Sequence, residues 1–210
     1  MDSTQSKKRL IVKTIAITGI MAALSTILRF LEFPLMFIVP EFLKFDFSDL
    51  PALITSFVVG PIYGVIVEAI KNIIMLPISK TQYVGELANF IVGAIFVFSA
   101  GLIYRIKPTR KTALIGMVSG TAIMTLCAAF LNYFLLIPFF AELYIQNPAL
   151  DIKAKIDIIV SMFTQVFPFI KDLFGAICFS IIPFNLLKGV VISIITFIVY
   201  KKISVVFKKY

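Results

Sequence analysis

The basic residues of this chain gather in short clusters, and the segments between the clusters stay apolar for longer than a soluble core requires. Lys7, Lys8, Arg9 and Lys13 form the first cluster, Arg105, Lys107, Arg110 and Lys111 the second, and Lys201, Lys202, Lys208 and Lys209 the third. A helix rises ~1.5 Å per residue, so ~20 apolar residues match a ~30 Å hydrocarbon layer. Apolar runs near that length cover residues 12–31, 87–104, 113–138 and 176–200, with a shorter one at 61–76. Another stretch, 50–59, is too short to cross squarely and is closed by Gly60-Pro61. Composition agrees, with 60% hydrophobic residues, 15% charged residues and a mean hydropathy of +1.03. The pattern predicts an all-α integral membrane protein: six transmembrane helices in one bundle over residues 1–210, the second of them short.

Charge sets the expected orientation. Lys and Arg accumulate on the cytoplasmic side of membrane proteins, which puts all three clusters, both termini and the basic segment 1–10 in the cytoplasm. Only an even number of crossings between successive clusters satisfies this, so the short second run must cross. The net charge of +9 is largely this topology signal. Charges that flank spans rather than form one basic face do not suit a nucleic-acid partner. The basic start leads into a long apolar run with no small-residue cleavage site, so no cleaved leader is expected.

The other connections are then extracellular. Residues 32–47 are rich in Phe and Pro, 78–86 are short and polar, and 139–175 form a long loop. Within the long loop Ile152, Ile156, Ile159, Phe163, Phe167 and Ile170 recur at spacings of three and four. This predicts an amphipathic helix lying on the outer surface, with Asn147-Pro148 as its start. A loop of this length is a candidate lid.

Several chemistries have no residues to carry them. The chain has no His, no G-x-x-x-x-G-K-[ST] phosphate loop, no H-E-x-x-H and no G-x-S-x-G. Cys127 and Cys178 lie in apolar runs and read as small buried hydrophobes rather than metal ligands or a disulfide. No cofactor or metal is expected. Binding or transport fits better than catalysis, and uphill transport would draw its energy from a partner or an ion gradient.

Polar groups at membrane depth are the candidates for function. Glu68 and Lys71 share one face of the third span and read as a mutually neutralising pair. Lys188 lies roughly twelve residues from either end of the last span, ~18 Å from each surface, so it must face a cavity or a partner. Asn185 is one turn before it, Pro183 loosens that helix, and Asn132 lies in the fifth span. Phe130, Tyr133, Phe134, Phe179 and Phe184 surround these groups in sequence, and an apolar pocket with a few converging polar groups is the usual small-molecule site. Asp46, Ser48 and Asp49 read as a helix start. In the first span Ala16, Gly19, Ala22 and Ala23 form a small-residue stripe, which serves either packing inside the bundle or docking to another membrane protein.

Three stretches carry a family resemblance: Lys44-Phe45-Asp46-Phe47-Ser48-Asp49-Leu50-Pro51, Gly85-Glu86-Leu87-Ala88-Asn89-Phe90 and Pro183-Phe184-Asn185-Leu186-Leu187-Lys188-Gly189. Together the chain resembles the riboflavin-specific substrate-binding (S) component of energy-coupling-factor (ECF) vitamin transporters. The resemblance implies a six-helix bundle in the cell membrane that binds riboflavin at its outer face. It implies as partners a transmembrane coupling protein and two ATPase subunits, docked on the Ala16, Gly19, Ala22 and Ala23 stripe. By the same resemblance Asn132, Asn185 and Lys188 would hold the flavin ring, with Lys80, Thr81 and Gln82 near the ribityl chain. The chemistry is compatible, because a flavin edge presents carbonyl acceptors beside an N–H donor, which suits an Asn amide and a Lys ammonium. An S component for thiamin, pantothenate or flavin mononucleotide stays open at this point. So does a membrane-embedded lipid enzyme using Glu68, Asp46 and Asp49 as acids.

Overall fold

The computed structural model describes residues 3–40 and 43–208; Phe42 of the first connection and Lys209 of the third basic cluster lie outside the described residues. Helix α1 covers Ser3–Arg29. The Phe- and Pro-rich segment that follows holds a small antiparallel hairpin, β1 (Phe33–Pro34) with β2 (Lys44–Phe45), in which Phe33 lies opposite Phe45. Helix α2 (Asp49–Val58) comes next, then a turn at Gly60, whose φ of 145° is strained for any residue with a Cβ. Pro61 opens α3 (Pro61–Met75) at a position where its missing N–H costs no helical hydrogen bond.

Helix α4 (Val84–Ile106) leads through Lys107 and Pro108 into α5 (Arg110–Leu131). Thr109 caps α5 through a reciprocal pair of bonds with Thr112. α5 does not stop at Leu131. It runs through one π turn, Asn132–Leu136, into α6 (Ile137–Tyr144). The last span repeats the device: α8 (Leu173–Ala176) runs through a π turn, Ile177–Ile181, into α9 (Ile182–Lys208). In each case a proline, Pro138 or Pro183, follows within two residues of the π turn. A proline inside a helix lacks the N–H for its i−4 carbonyl and clashes with it, and a widened turn just upstream absorbs both faults.

Five segments are long and apolar enough to cross a membrane: Lys7–Arg29, Pro61–Ile78, Val84–Ile106, Arg110–Tyr144 and Leu173–Val199. They match the first, third, fourth, fifth and sixth apolar runs. The second run is α2, whose ten residues rise ~15 Å. α2 is buried on every side, with eight of its ten residues enclosed, and it packs against α1, α3, α4 and α9. Its Leu53 and Phe57 join Val67, Phe96, Val97 and Met117 in the main apolar core.

Two expectations change in the long connection. α6 carries the fifth span on to Tyr144, so less of 139–175 is loop than the sequence suggests. The amphipathic helix exists as α7 (Ile152–Val166), but Asp151 caps it, accepting a hydrogen bond from the Ala154 amide at 2.7 Å. Asn147 instead closes a local turn with the Ala149 amide. The apolar stripe of α7 is also covered by protein: Ile159, Val160 and Phe163 pack into a second core with Ile137 and Ala141 of α6 and Ile177 of the π turn. Cys127 and Cys178, expected to be buried, are half-buried free thiols.

Candidate ligand site

Lys188 needs a counter-charge at its depth, and the structure supplies one from a segment the sequence reads as a helix start. The ammonium lies 3.0 Å from Asp49 Oδ2 and 3.4 Å from Asp46 Oδ2, and Lys188 is 7% exposed. Asp46 also accepts from Arg29 of α1 at 3.0 Å and from the Ser48 amide at 2.8 Å. Asp49 binds Lys71 at 2.8 Å, and Lys71 in turn lies 2.5 Å from Glu68 and donates to Ser48 Oγ at 3.0 Å. Three carboxyl groups and three cations thus tie α1, the β2–α2 segment, α2, α3 and α9 together at one buried point. Burial alone would raise the Asp46 carboxyl. Lys188, Lys71 and Arg29 outweigh burial and the nearby Asp49, and hold it below the usual carboxylate range.

The Glu68–Lys71 pair expected from the sequence is therefore present, but it is part of a larger network. α2 starts where the sequence puts it, with Ser48 at the N-cap position and Asp49 first in the helix, but the Ser48 side chain caps no helical N–H; it donates to Asp46 and receives from Lys71.

Asn132 and Asn185 sit in matching local settings. Asn132 opens the π turn of α5, and its amide donates to the Ala128 carbonyl at 2.8 Å. Asn185 follows the π turn of α9, one turn before Lys188, and donates to the Ile181 carbonyl at 2.9 Å. Both are buried, the two π turns pack together, and α5 packs along α9. Each amide is oriented by its own helix and keeps its oxygen and second N–H for another partner.

The aromatic surroundings differ from expectation. Phe130, Tyr133, Phe134 and Phe179 face away from the protein interior, and of the five aromatics expected around the polar groups only Phe184 is buried. The interior aromatic surface comes from Phe45, buried, and Phe47, half-buried; exposed Phe33 packs at their edge, ring centroids 5.2 to 6.2 Å apart, and Phe45 joins Phe184 and Val39 in a core of its own. Ser180 of the π turn before α9 also donates to the Ile38 carbonyl, so the segment meets the last span there and where Phe45 packs on Phe184.

Lys80, Thr81 and Gln82 are not brought to this point by any hydrogen bond. Lys80 is exposed, and Thr81 serves its own turn, receiving from the Gly85 amide at 3.1 Å and donating to Glu86 at 3.1 Å. Gln82 lines a cavity of about 370 Å³ between α3 and α4, with Asn72, Tyr83 and Phe90. A larger cavity of about 770 Å³ lies between Val39 and Pro40 of the hairpin segment, Phe140 and Tyr144 of α6, and Ile159 and Met162 of α7. Neither cavity is lined by Asn132, Asn185 or Lys188.

The small-residue stripe of α1 splits. Ala22 is buried in the main core, whereas Ala16, Gly19 and Ala23 are exposed. A Cβ built on Gly19 would meet nothing within 4 Å.

Asp46 is the residue whose partners sequence reasoning missed. The signal was available, because a lysine that deep requires an anion, and Asp46 stands alone between Phe45 and Phe47.

Comparison with known proteins gives this geometry a context. Residues 13–200 match the family model described as "ECF transporter, substrate-specific component". The chain is 35% identical to the riboflavin transporter RibU of Staphylococcus aureus (strain TCH60) over 200 residues, covering 95% of this chain and 92% of that protein. It is 31% identical to the riboflavin transporter FmnP of Bacillus subtilis (strain 168) over 196 residues, covering 92% and 93%. A solved S component of a bacterial ECF transporter superposes with a TM-score of 0.71 at 31% identity, covering 93% of this chain and 98% of that one. The buried polar point shared by α1, α2, α3 and α9 thus lies in a chain that belongs to the substrate-specific components of ECF transporters.

Proposed function

We propose that this chain is the riboflavin-binding component of an ECF transporter, a multi-pass protein of the plasma membrane. It captures the vitamin at the outer face and passes it inward when a transmembrane coupling protein and two ATPase subunits supply the energy. The observation that carries the binding role is the buried face of α9, where Asn185 and Lys188 stand one turn apart, with Asn132 buried in the π turn that continues α5, itself packed along α9. Two pre-oriented amides and one ammonium match the alternating acceptors and donor on the edge of a flavin ring. Phe45, Phe47 and Phe184 supply aromatic surface near them. The hairpin strands β1 and β2, with Phe45 packed on Phe184 of α9, are the cover for the site. Lys80, Thr81 and Gln82 belong to the rim of the bundle, at the ribityl end of the ligand.

The exposed Ala16, Gly19 and Ala23 face of α1 serves as the docking surface for the coupling protein, and Ala22 anchors α1 to the bundle. Helices associate in lipid chiefly where small residues let backbones approach, and this face is open. α2 completes the sixth crossing, with both termini in the cytoplasm.

Quenching of riboflavin fluorescence by the purified chain tests the binding role. Losing a hydrogen bond from a charged donor costs ~1.5–3 kcal/mol, so Lys188→Ala weakens binding roughly ten- to a hundredfold, and Asn185→Ala about tenfold. Unchanged affinity in variants that keep their thermal midpoint would remove these residues from the site.

A further inference from the structure

Two buried lysines share the charged point, and they differ in how far their bonding is complete. An ammonium carries three N–H donors. Lys71 has three polar neighbours: it donates to Asp49 Oδ1 at 2.8 Å and Ser48 Oγ at 3.0 Å, and it forms an ion pair with Glu68 Oε2 at 2.5 Å. Lys188 has two among the described residues, Asp49 Oδ2 at 3.0 Å and Asp46 Oδ2 at 3.4 Å. An ammonium with two acceptors has one donor left over, and Lys188 is nearly enclosed. Leaving such a donor unfilled is costly unless something else comes to fill it.

Each of the two acids also has a second cation, Lys71 for Asp49 and Arg29 at 3.0 Å for Asp46, although these are shared with Glu68 and Glu32. Lys188, by contrast, has no other counter-charge among the described residues. The placement of the ammonium therefore rests on these two acids alone.

We propose that Asp46 and Asp49 are positioning residues for Lys188, fixing the ammonium so that its one free N–H is presented to a neutral carbonyl-type acceptor on the ligand. This rests on reading Lys188 as a ligand contact. It also gives the site a selectivity. A lone buried ammonium would favour an anion, whereas one already held by two carboxylates has its charge offset and offers only a directed hydrogen bond. The acids are then part of why the site accepts an uncharged ring.

A double-mutant cycle separates this role from simple support of the fold. Riboflavin affinity and thermal midpoint are measured for Asp46→Asn, Asp49→Asn and Lys188→Ala, and for each Asn substitution combined with Lys188→Ala. With Lys188 present, each Asn substitution should weaken binding about three- to tenfold; with Ala at position 188, the same substitution should change it less than about twofold. Asp46→Asn combined with Asn132→Ala should retain the full loss, since Asn132 is not held by the acids. Asp49 also pairs with Lys71, so if Asp49→Asn does not fold, Asp46→Asn carries the test, because Arg29 keeps Glu32 at 2.9 Å. Equal losses with and without Lys188 would overturn the positioning role while leaving Lys188 in the site. Full affinity in Lys188→Ala alone would overturn both.

Discussion

Gly93 of α4 stands against Glu68 of α3 so closely that a Cβ built on the glycine would lie 2.6 Å from Glu68 Oε2. The glycine makes room for a buried carboxyl already committed to Lys71, so the neighbour has little freedom to give way. Gly93→Ala should therefore destabilise the chain by ~1–3 kcal/mol, the usual cost of overpacking. Gly19→Ala, in open space, should be neutral. Thermal midpoints of the two variants in one detergent check the contrast.

Removing a single member of the charged point should harm the fold more than its contact distances suggest. Lys71→Met leaves Glu68 and Asp49 buried beside each other without the cation between them. Breaking a buried ion pair from one side costs ~3–5 kcal/mol. The expected result is a large drop in thermal midpoint, partly recovered when Glu68→Gln is added. No recovery would show that the two side chains do not share one electrostatic unit.

Asp46 gives the chain a definite acid sensitivity. Its carboxyl is held below the usual value of 3.8 in the folded state, so the native state favours the ionised form. The stabilisation is fully present above that value and is lost as pH falls below it towards the lower folded pKa. Thermal midpoint should be flat with respect to this group from neutral pH down to about 5, and then fall. The fall should be shallower in Asp46→Asn.

Orientation can be read by labelling. With Cys127 and Cys178 replaced, single cysteines at 80 and 151 should react with an impermeant thiol reagent in intact cells, and one at 109 should not. Labelling at 109 without labelling at 80 would invert the bundle.

Docking and binding should separate on α1. Gly19→Leu or Ala23→Leu should abolish vitamin uptake and co-purification with the ATPase-bearing module, because both positions face outward. Riboflavin binding by the isolated chain should survive. Loss of binding together with assembly would make α1 a packing helix only.

Much of this fold was legible because the bilayer imposes length and charge rules on every span. The five long helices and α2 fall where the apolar runs and the Gly60-Pro61 break put them. The depth of Lys188 was equally legible from its distance to the ends of its run. What periodicity could not convey was the partner of that lysine. Asp46 reaches it from a distant part of the chain, and the intervening Phe45 and Phe47 give no helical or strand pattern that would point inward. The π turns were hidden for a related reason. Pro138 and Pro183 signal a disturbance of the helix, but an extra residue in the turn changes which side chains face inward. Phe130, Phe134 and Phe179 accordingly ended on the outside.

The enclosure of α2 bears on how the chain can be assembled. A ten-residue helix with protein on every side has no lipid-facing surface of its own and cannot rest in a bilayer as a finished span. Its first residue, Asp49, needs Lys71 from the next helix and shares Lys188 with Asp46, and Lys188 belongs to α9, which is synthesised after α1 to α8. α2 is thus made well before α9 but seated only with it, and the centre of the bundle closes when α9 arrives.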